Sequence, residues 1–180
     1  MGTVYDQSKF IHLDVHTEYS LLNSIFKIKD IKTACLEQNC IGVGVNDFNS
    51  LHKPYTIQNL FNANPKLEHC IGVKFLVKGM FDDSFYTLLL YAKSYKGYLE
   101  LVKLSTLAHS GEKVFPYVTY SDLEKHSYHC ICLSGGNTGE LFHLVLNNKT
   151  DEVYHLVDWC QNTYGKKNYY VELTNHYIAD

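Results

Sequence analysis

Apolar and polar residues repeat with two different periods along this chain, and each change of period marks an element. Phe10-Ile-His-Leu-Asp-Val15 alternates every second residue, the pattern of a strand with one apolar and one polar face that runs into a loop reaching Asn23. Ile28, Ile31, Ala34 and Cys35 then recur at helical spacing, which predicts an amphipathic helix over 27–38. Cys40-Ile-Gly-Val-Gly-Val45 reads as a short buried strand whose glycines permit close backbone approach. Tyr55, Ile57, Leu60 and Phe61 predict a helix over 50–63, stopped by Asn64-Pro65. Strands follow over 70–77 and 85–92, joined by a turn at 78–83 that lets them pair.

Ser94 is placed to cap a helix carrying Tyr98, Leu101, Val102 and Leu104, which stops at Gly111. A loop around Pro116 leads to Ser121 and Glu124, spaced as a capping box for a short helix, and then to a strand over 128–133. Helices over 138–147 and 151–164 and a last strand over 169–173 complete the pattern. Strand and helix alternate through most of the chain, so a largely parallel α/β arrangement is expected. The 180 residues show no repeat, low-complexity tract or linker and are read as one domain, 1–180.

Composition narrows the function classes. Hydrophobic residues make up 46% and charged residues 19%, which suits a globular chain. There is neither a signal peptide nor an apolar run of about 18 residues, so a cytoplasmic location with no membrane contact is expected. A net charge of −3 argues against strong nucleic-acid binding by this domain alone, because gripping phosphates requires an excess of Lys and Arg. The fifteen tyrosines are scattered through helical and strand patterns and read as packing residues. None of the six cysteines forms a Cys-x-x-Cys pair. They read as small buried residues with reduced thiols.

Candidate chemistry concentrates in the first strand. As a regular strand it places His12, Asp14 and His16 on one face and Ile11, Leu13 and Val15 on the other. Three potential metal ligands then point the same way, although a half-buried strand with a polar face has the same pattern. No nucleophile motif, phosphate-binding loop or dinucleotide fingerprint points to another enzyme class.

The run from His12 to Ser24, followed by Lys27-Ile-Lys-Asp-Ile31, resembles the start of the polymerase and histidinol phosphatase (PHP) domain that opens the alpha subunit of bacterial DNA polymerase III. Further matches come in that family's order: Gly42-Val-Gly-Val-Asn-Asp-Phe48, Ile71-Gly-Val73, Leu88-Leu-Leu-Tyr-Ala-Lys93 with Gly97-Tyr98, Leu133-Ser-Gly-Gly136 and Tyr170-Val-Glu-Leu173. The resemblance implies a distorted β/α barrel with its site at the strand ends, here left incomplete at the C-terminus. It also implies a phosphoesterase-like centre that holds up to three divalent ions.

Carried across one position at a time, that centre is depleted. The first His-x-His becomes Asp14-Val-His16, and the aspartate after the loop becomes Asn23. The Thr-Asp-His corner becomes Asn46-Asp47-Phe48, so Asp47 keeps a carboxylate while Phe48 cannot bind metal. Lys74 stands at a glutamate position, Thr87 at a histidine and Gly136 at a cysteine. His12 is an extra candidate ligand, and Glu172 and His176 lie near the last strand end. At most one weakly bound divalent ion (Zn, Mn or Mg) is expected, through Asp14, His16, His12 and Asp47. An ammonium from Lys74 beside Asp14 and Asp47 is the alternative source of positive charge.

The expected role is structural: a PHP-like domain of a bacterial or phage replicative polymerase, stabilising the remainder of the polymerase and docking a proofreading exonuclease. The alternatives are a metal-dependent phosphoesterase or 3′–5′ exonuclease, and a free-standing truncated protein that competes for polymerase partners. An incomplete barrel is also expected to leave an apolar surface uncovered.

Overall fold

The computed structural model describes residues 10–63 and 66–173. Its elements follow the periodicity closely. They are β1 (Ile11–Val15), α1 (Ile28–Glu37), β2 (Gly42–Phe48), α2 (Pro54–Asn62), β3 (Glu68–Lys78) and β4 (Phe85–Ala92). The chain continues through α3 (Tyr95–Ala108), α4 (Tyr120–His126), β5 (Cys130–Leu133), a 3-10 turn (Gly136–Thr138), α5 (Glu140–Leu146), α6 (Thr150–Tyr164) and β6 (Tyr169–Tyr170). Asn64-Pro65 and His176 lie outside the described residues.

Local chemistry sets the boundaries. α2 starts at Pro54 rather than at residue 50 because Lys53 is left-handed (φ 47) and proline suits the first helical turn. α3 is capped by Ser94 as expected. The capping box of α4, however, is Thr119 with Asp122, not Ser121 with Glu124. Val118 is still extended, donating to Leu76 O at 2.9 Å and accepting from Lys78 N at 3.0 Å, so the helix cannot begin before Thr119 and begins at once after it. α1 ends in a Schellman turn, with Asn39 left-handed (φ 53) and Cys40 N–H bonded to Cys35 O at 3.0 Å.

The six strands lie side by side in chain order. β1, β2 and β3 are parallel, β4 runs antiparallel to both neighbours, and β5 pairs with β6 in parallel. The largely parallel arrangement therefore holds for every strand but β4, which the short 79–84 turn reverses. Val43 and Val45 pack under α1 and α2 with Ile31, Ile57 and Phe61. Val73, Phe75, Leu88 and Leu90 pack under the later helices with Leu101, Leu104 and Leu156. All the helices found here pack on this one face.

The opposite face is concave. Tyr91 of β4 passes over Gly72 and Gly44, where an added Cβ would lie 2.6 Å and 3.0 Å from its ring, and its hydroxyl reaches Leu13 O on β1. A tyrosine cannot span the roughly 14 Å that three strand spacings would set between β4 and β1 in a flat sheet. The sheet is therefore strongly curled, an open half-barrel. Its hollow, about 710 Å³, is lined by Leu13, Tyr91, Ile131, Leu133, Val171 and Glu172 among others. Leu13, Val171 and Leu173 are 42%, 55% and 91% exposed, which gives the uncovered apolar surface its physical form.

Candidate functional site

The site grows from an irregularity in β1. His12 is in register with Val43 and Val15 with Val45, so β1 spends three residues where β2 spends two. This bulge breaks the alternation that would have put His12, Asp14 and His16 on one face. His12 turns to the helix-side layer, its Nε2 3.1 Å from Gln38 Oε1 on α1. The three-ligand face read from the sequence is therefore corrected to a pair, Asp14 and His16, whose Oδ1 and Nε2 lie 3.3 Å apart.

Lys74 completes the pair's environment. It stands beside Phe48 in the β2–β3 register, its side chain 11% exposed, with Nζ 2.9 Å from Asp14 Oδ2 and 5.6 Å from the Phe48 ring centroid. Hydrogen bonding, Coulomb attraction and the ring face all hold the ammonium there. His16 is oriented by Asn46: its Nδ1 contacts the Asn46 carbonyl, which can only accept, so Nδ1 carries the proton and Nε2 is left facing Asp14. Backbone acceptance of this kind also orients histidines that bind metals.

Asp47 does something else. Strand alternation puts it on the Val43 and Val45 side of β2, away from Lys74. It is 3% exposed and accepts from Thr17 N (2.8 Å), Thr17 Oγ1 (2.8 Å) and Ser20 Oγ (2.6 Å). Asp47 therefore does not share the Lys74 ammonium: its oxygens anchor the loop that follows β1. Asn23, in that loop, is exposed and folds back on Leu21 O at 3.1 Å. Thr87 and the turn holding Gly136 bond to each other, through Thr87 Oγ1 and Thr138 Oγ1 at 2.6 Å.

Two participants escaped sequence reasoning or were undervalued by it. Glu172 enters from the far edge of the sheet, its N–H on Ser134 Oγ at 2.9 Å and its Oε2 buried without a partner. Burial and the Asp14 charge push its carboxyl above the ordinary value, while Lys74 pulls it down, so the three charged groups share one field. Tyr91 bonds both Leu13 O and Asn46 Nδ2, bracing the strand ends that carry Asp14 and Asp47. Its phenol is held well above its ordinary value by burial. Among the described residues, no three His, Cys, Asp or Glu side chains gather as a metal-holding group.

Residues 12–176 match the model of the PHP domain family, and the chain belongs to that family. Among curated proteins it is similar to DNA polymerase III subunit alpha of Borreliella burgdorferi, at 32% identity over 97% of this chain and 16% of that protein. It is 28% identical to the corresponding subunit of Haemophilus influenzae, over 91% of this chain and 14% of the relative. The chain thus spans about a seventh of the length of these relatives. A crystal structure from Bifidobacterium adolescentis, assigned to the metal-dependent phosphoesterases, superposes with a TM-score of 0.46 at 8% identity, covering 71% of this chain and 67% of that one.

Proposed function

We propose that this chain is the N-terminal PHP domain of a DNA polymerase III alpha-type polypeptide, with a degenerate metal site and a structural and docking role in DNA replication. The observation that carries the degenerate-site reading is the Lys74 ammonium 2.9 Å from Asp14 Oδ2. Lysine has no lone pair to offer when charged, and it repels any divalent ion brought near Asp14. A multinuclear centre does not fit the residues present, since Asp47 is occupied by the Thr17 and Ser20 donors and His12 has turned to α1. The docking role rests on the similarity to the much longer alpha subunits and on the exposed apolar residues of the hollow. Its partners are the remainder of the polymerase and a proofreading exonuclease, in the cytoplasm. Among the described residues no helix is long and apolar enough to cross a membrane.

A second reading has one observation in its favour. His16 Nε2 and Asp14 Oδ1 lie 3.3 Å apart, one nitrogen and one carboxylate oxygen side by side, a pair able to hold a single Zn, Mn or Mg ion and hence to serve a phosphoesterase or 3′–5′ exonuclease. Metal analysis of protein purified without chelator, with hydrolysis of a chromogenic phosphodiester in added Mn²⁺ or Zn²⁺, separates the two. The degenerate-site reading expects no tightly held ion and no turnover. Stoichiometric metal with turnover abolished by His16→Ala would promote the enzyme reading instead.

A further inference from the structure

The Schellman turn that ends α1 brings together two cysteines with no part in the site described above. In this ending the carbonyl of Cys35 accepts from Cys40 N–H at 3.0 Å, and Leu36 O accepts from Asn39 N–H at 3.1 Å. Cys35 and Cys40 therefore occupy the two positions between which such turns place an apolar side-chain contact. A direct amide–carbonyl bond between two residues keeps their α-carbons within the separation of about 4.4–6.8 Å that a disulfide spans. The side chains turn into the same space: Cys35 Sγ lies 3.7 Å from Cys40 O, and Cys40 Sγ lies 3.8 Å from Gln38 O. Both belong to one apolar cluster and are only 6% and 7% exposed.

We propose that Cys35 and Cys40 are a reversible dithiol–disulfide site, closed by exchange with a low-molecular-weight disulfide. One cysteine, as thiolate, attacks a sulfur of the small disulfide, whose S–S bond breaks and whose other half leaves as a thiol. The second cysteine gives its proton to solvent and attacks the mixed disulfide; the protein S–S bond forms and a second small thiol leaves. Two protein thiols are oxidised and one small disulfide is reduced to two thiols. Cys35 also lines a hollow of about 330 Å³ with His12, Asp14 and Gln38, which gives the reagent access. Burial, with the neighbouring Cys40, pushes the Cys35 thiol above its ordinary value, so exchange is slow at neutral pH and quickens as pH rises. Closure pins the turn that contains Gln38, the residue holding His12 on the edge strand β1.

The test uses the folded 180-residue chain, equilibrated with glutathione at a series of oxidised-to-reduced ratios, quenched in acid, alkylated in denaturant and digested with trypsin. The peptide covering 33–66 contains Cys35 and Cys40 and no other cysteine. At oxidising ratios it is expected to lose both labels together and to carry an internal disulfide, while Cys70, Cys130, Cys132 and Cys160 stay alkylated. In Cys40→Ala, Cys35, which lines the hollow, is expected to stop as the glutathione mixed disulfide. Full labelling of both cysteines at every ratio, closure only after urea unfolding, or pairing of Cys40 with another cysteine overturns the proposal.

Discussion

Replacing Lys74 by methionine removes the ammonium and keeps an unbranched, apolar stem of similar length. The cost can be bounded from exposure. Breaking a fully buried pair from one side costs about 3–5 kcal/mol, whereas an exposed pair is worth about 0.2–1 kcal/mol. Lys74 is 11% exposed at its side chain and Asp14 33%, so water reaches the carboxylate that is left behind but not the space the ammonium vacates. The expected destabilisation is therefore about 1–3 kcal/mol, including the cation held over Phe48. Urea unfolding followed by far-UV circular dichroism reads this as a lowered midpoint at unchanged slope. Asp14→Ala and the Lys74→Met/Asp14→Ala double variant complete a cycle whose coupling should be about 1–2 kcal/mol. A Lys74→Met midpoint indistinguishable from the parent, together with zero coupling, would refute the claim that the pair holds the strand ends together.

Asp47→Ala should cost about 3–4 kcal/mol by unfolding titration, because a buried acceptor serving Thr17 and Ser20 is lost; an added-Mn²⁺ dependence of the parent that vanishes in this variant would instead mark Asp47 as a ligand. Gly135→Ala should cost at least about 3 kcal/mol or abolish folding, since the position has φ +84 and a Cβ there would lie 2.0 Å from Thr87 O. Gly111→Ala, at φ +80 in open space, should cost only about 1 kcal/mol, and thermal melts of the two variants compare them directly. Glu140 is 2% exposed and burial raises its carboxyl above the ordinary 4.5, so the folded chain holds that proton more tightly than the unfolded chain. Its contribution is complete below 4.5 and is lost as pH rises through the raised value, so the parent should lose stability relative to Glu140→Gln across that window; a difference that grows in the parent's favour with pH refutes this.

Much of the fold was legible because it is written in local periodicity. Ile28, Ile31 and Cys35 sit where a 3.6-residue stripe puts them, and the short turn before Phe85 already implied a hairpin. What was not legible is non-local. Thr119-x-x-Asp122 and Ser121-x-x-Glu124 satisfy the same capping pattern, and only the bonds between Val118 and β3 decide between them. The bulge in β1 leaves no mark in the sequence, because Val15 continues the alternation that the pairing with β2 interrupts. The contact of His12 with Gln38 was hidden for that reason, and those of Asp47 because its partners, Thr17 and Ser20, lie 30 and 27 residues away. The Lys74–Asp14 pair was legible through the family's ligand positions, which align residues that periodicity alone cannot bring together.

On the proposed reading, the site exchanges a dissociable cation for one tethered to β3. A divalent ion must recruit ligands from several elements at once, and each ligand lost weakens the rest. A lysine needs only its own strand and a carboxylate within reach, which the bulge supplies by swinging Asp14 toward β3. Such a pair links β1 to β3 over the intervening β2, and Tyr91 reaches the same edge strand from β4, one strand further, through Leu13 O. Curvature at this edge of the half-barrel is thus held by one ionic and one hydrogen-bonded brace, neither of which requires a metal. Glu172 approaches from the opposite edge with its Oε2 unpartnered, and its carboxyl feels both Asp14, which raises it, and Lys74, which lowers it. With the site degenerate as proposed, the Lys74–Asp14 pair does at the strand ends what a bound ion would do there, joining β1 to β3 through charge.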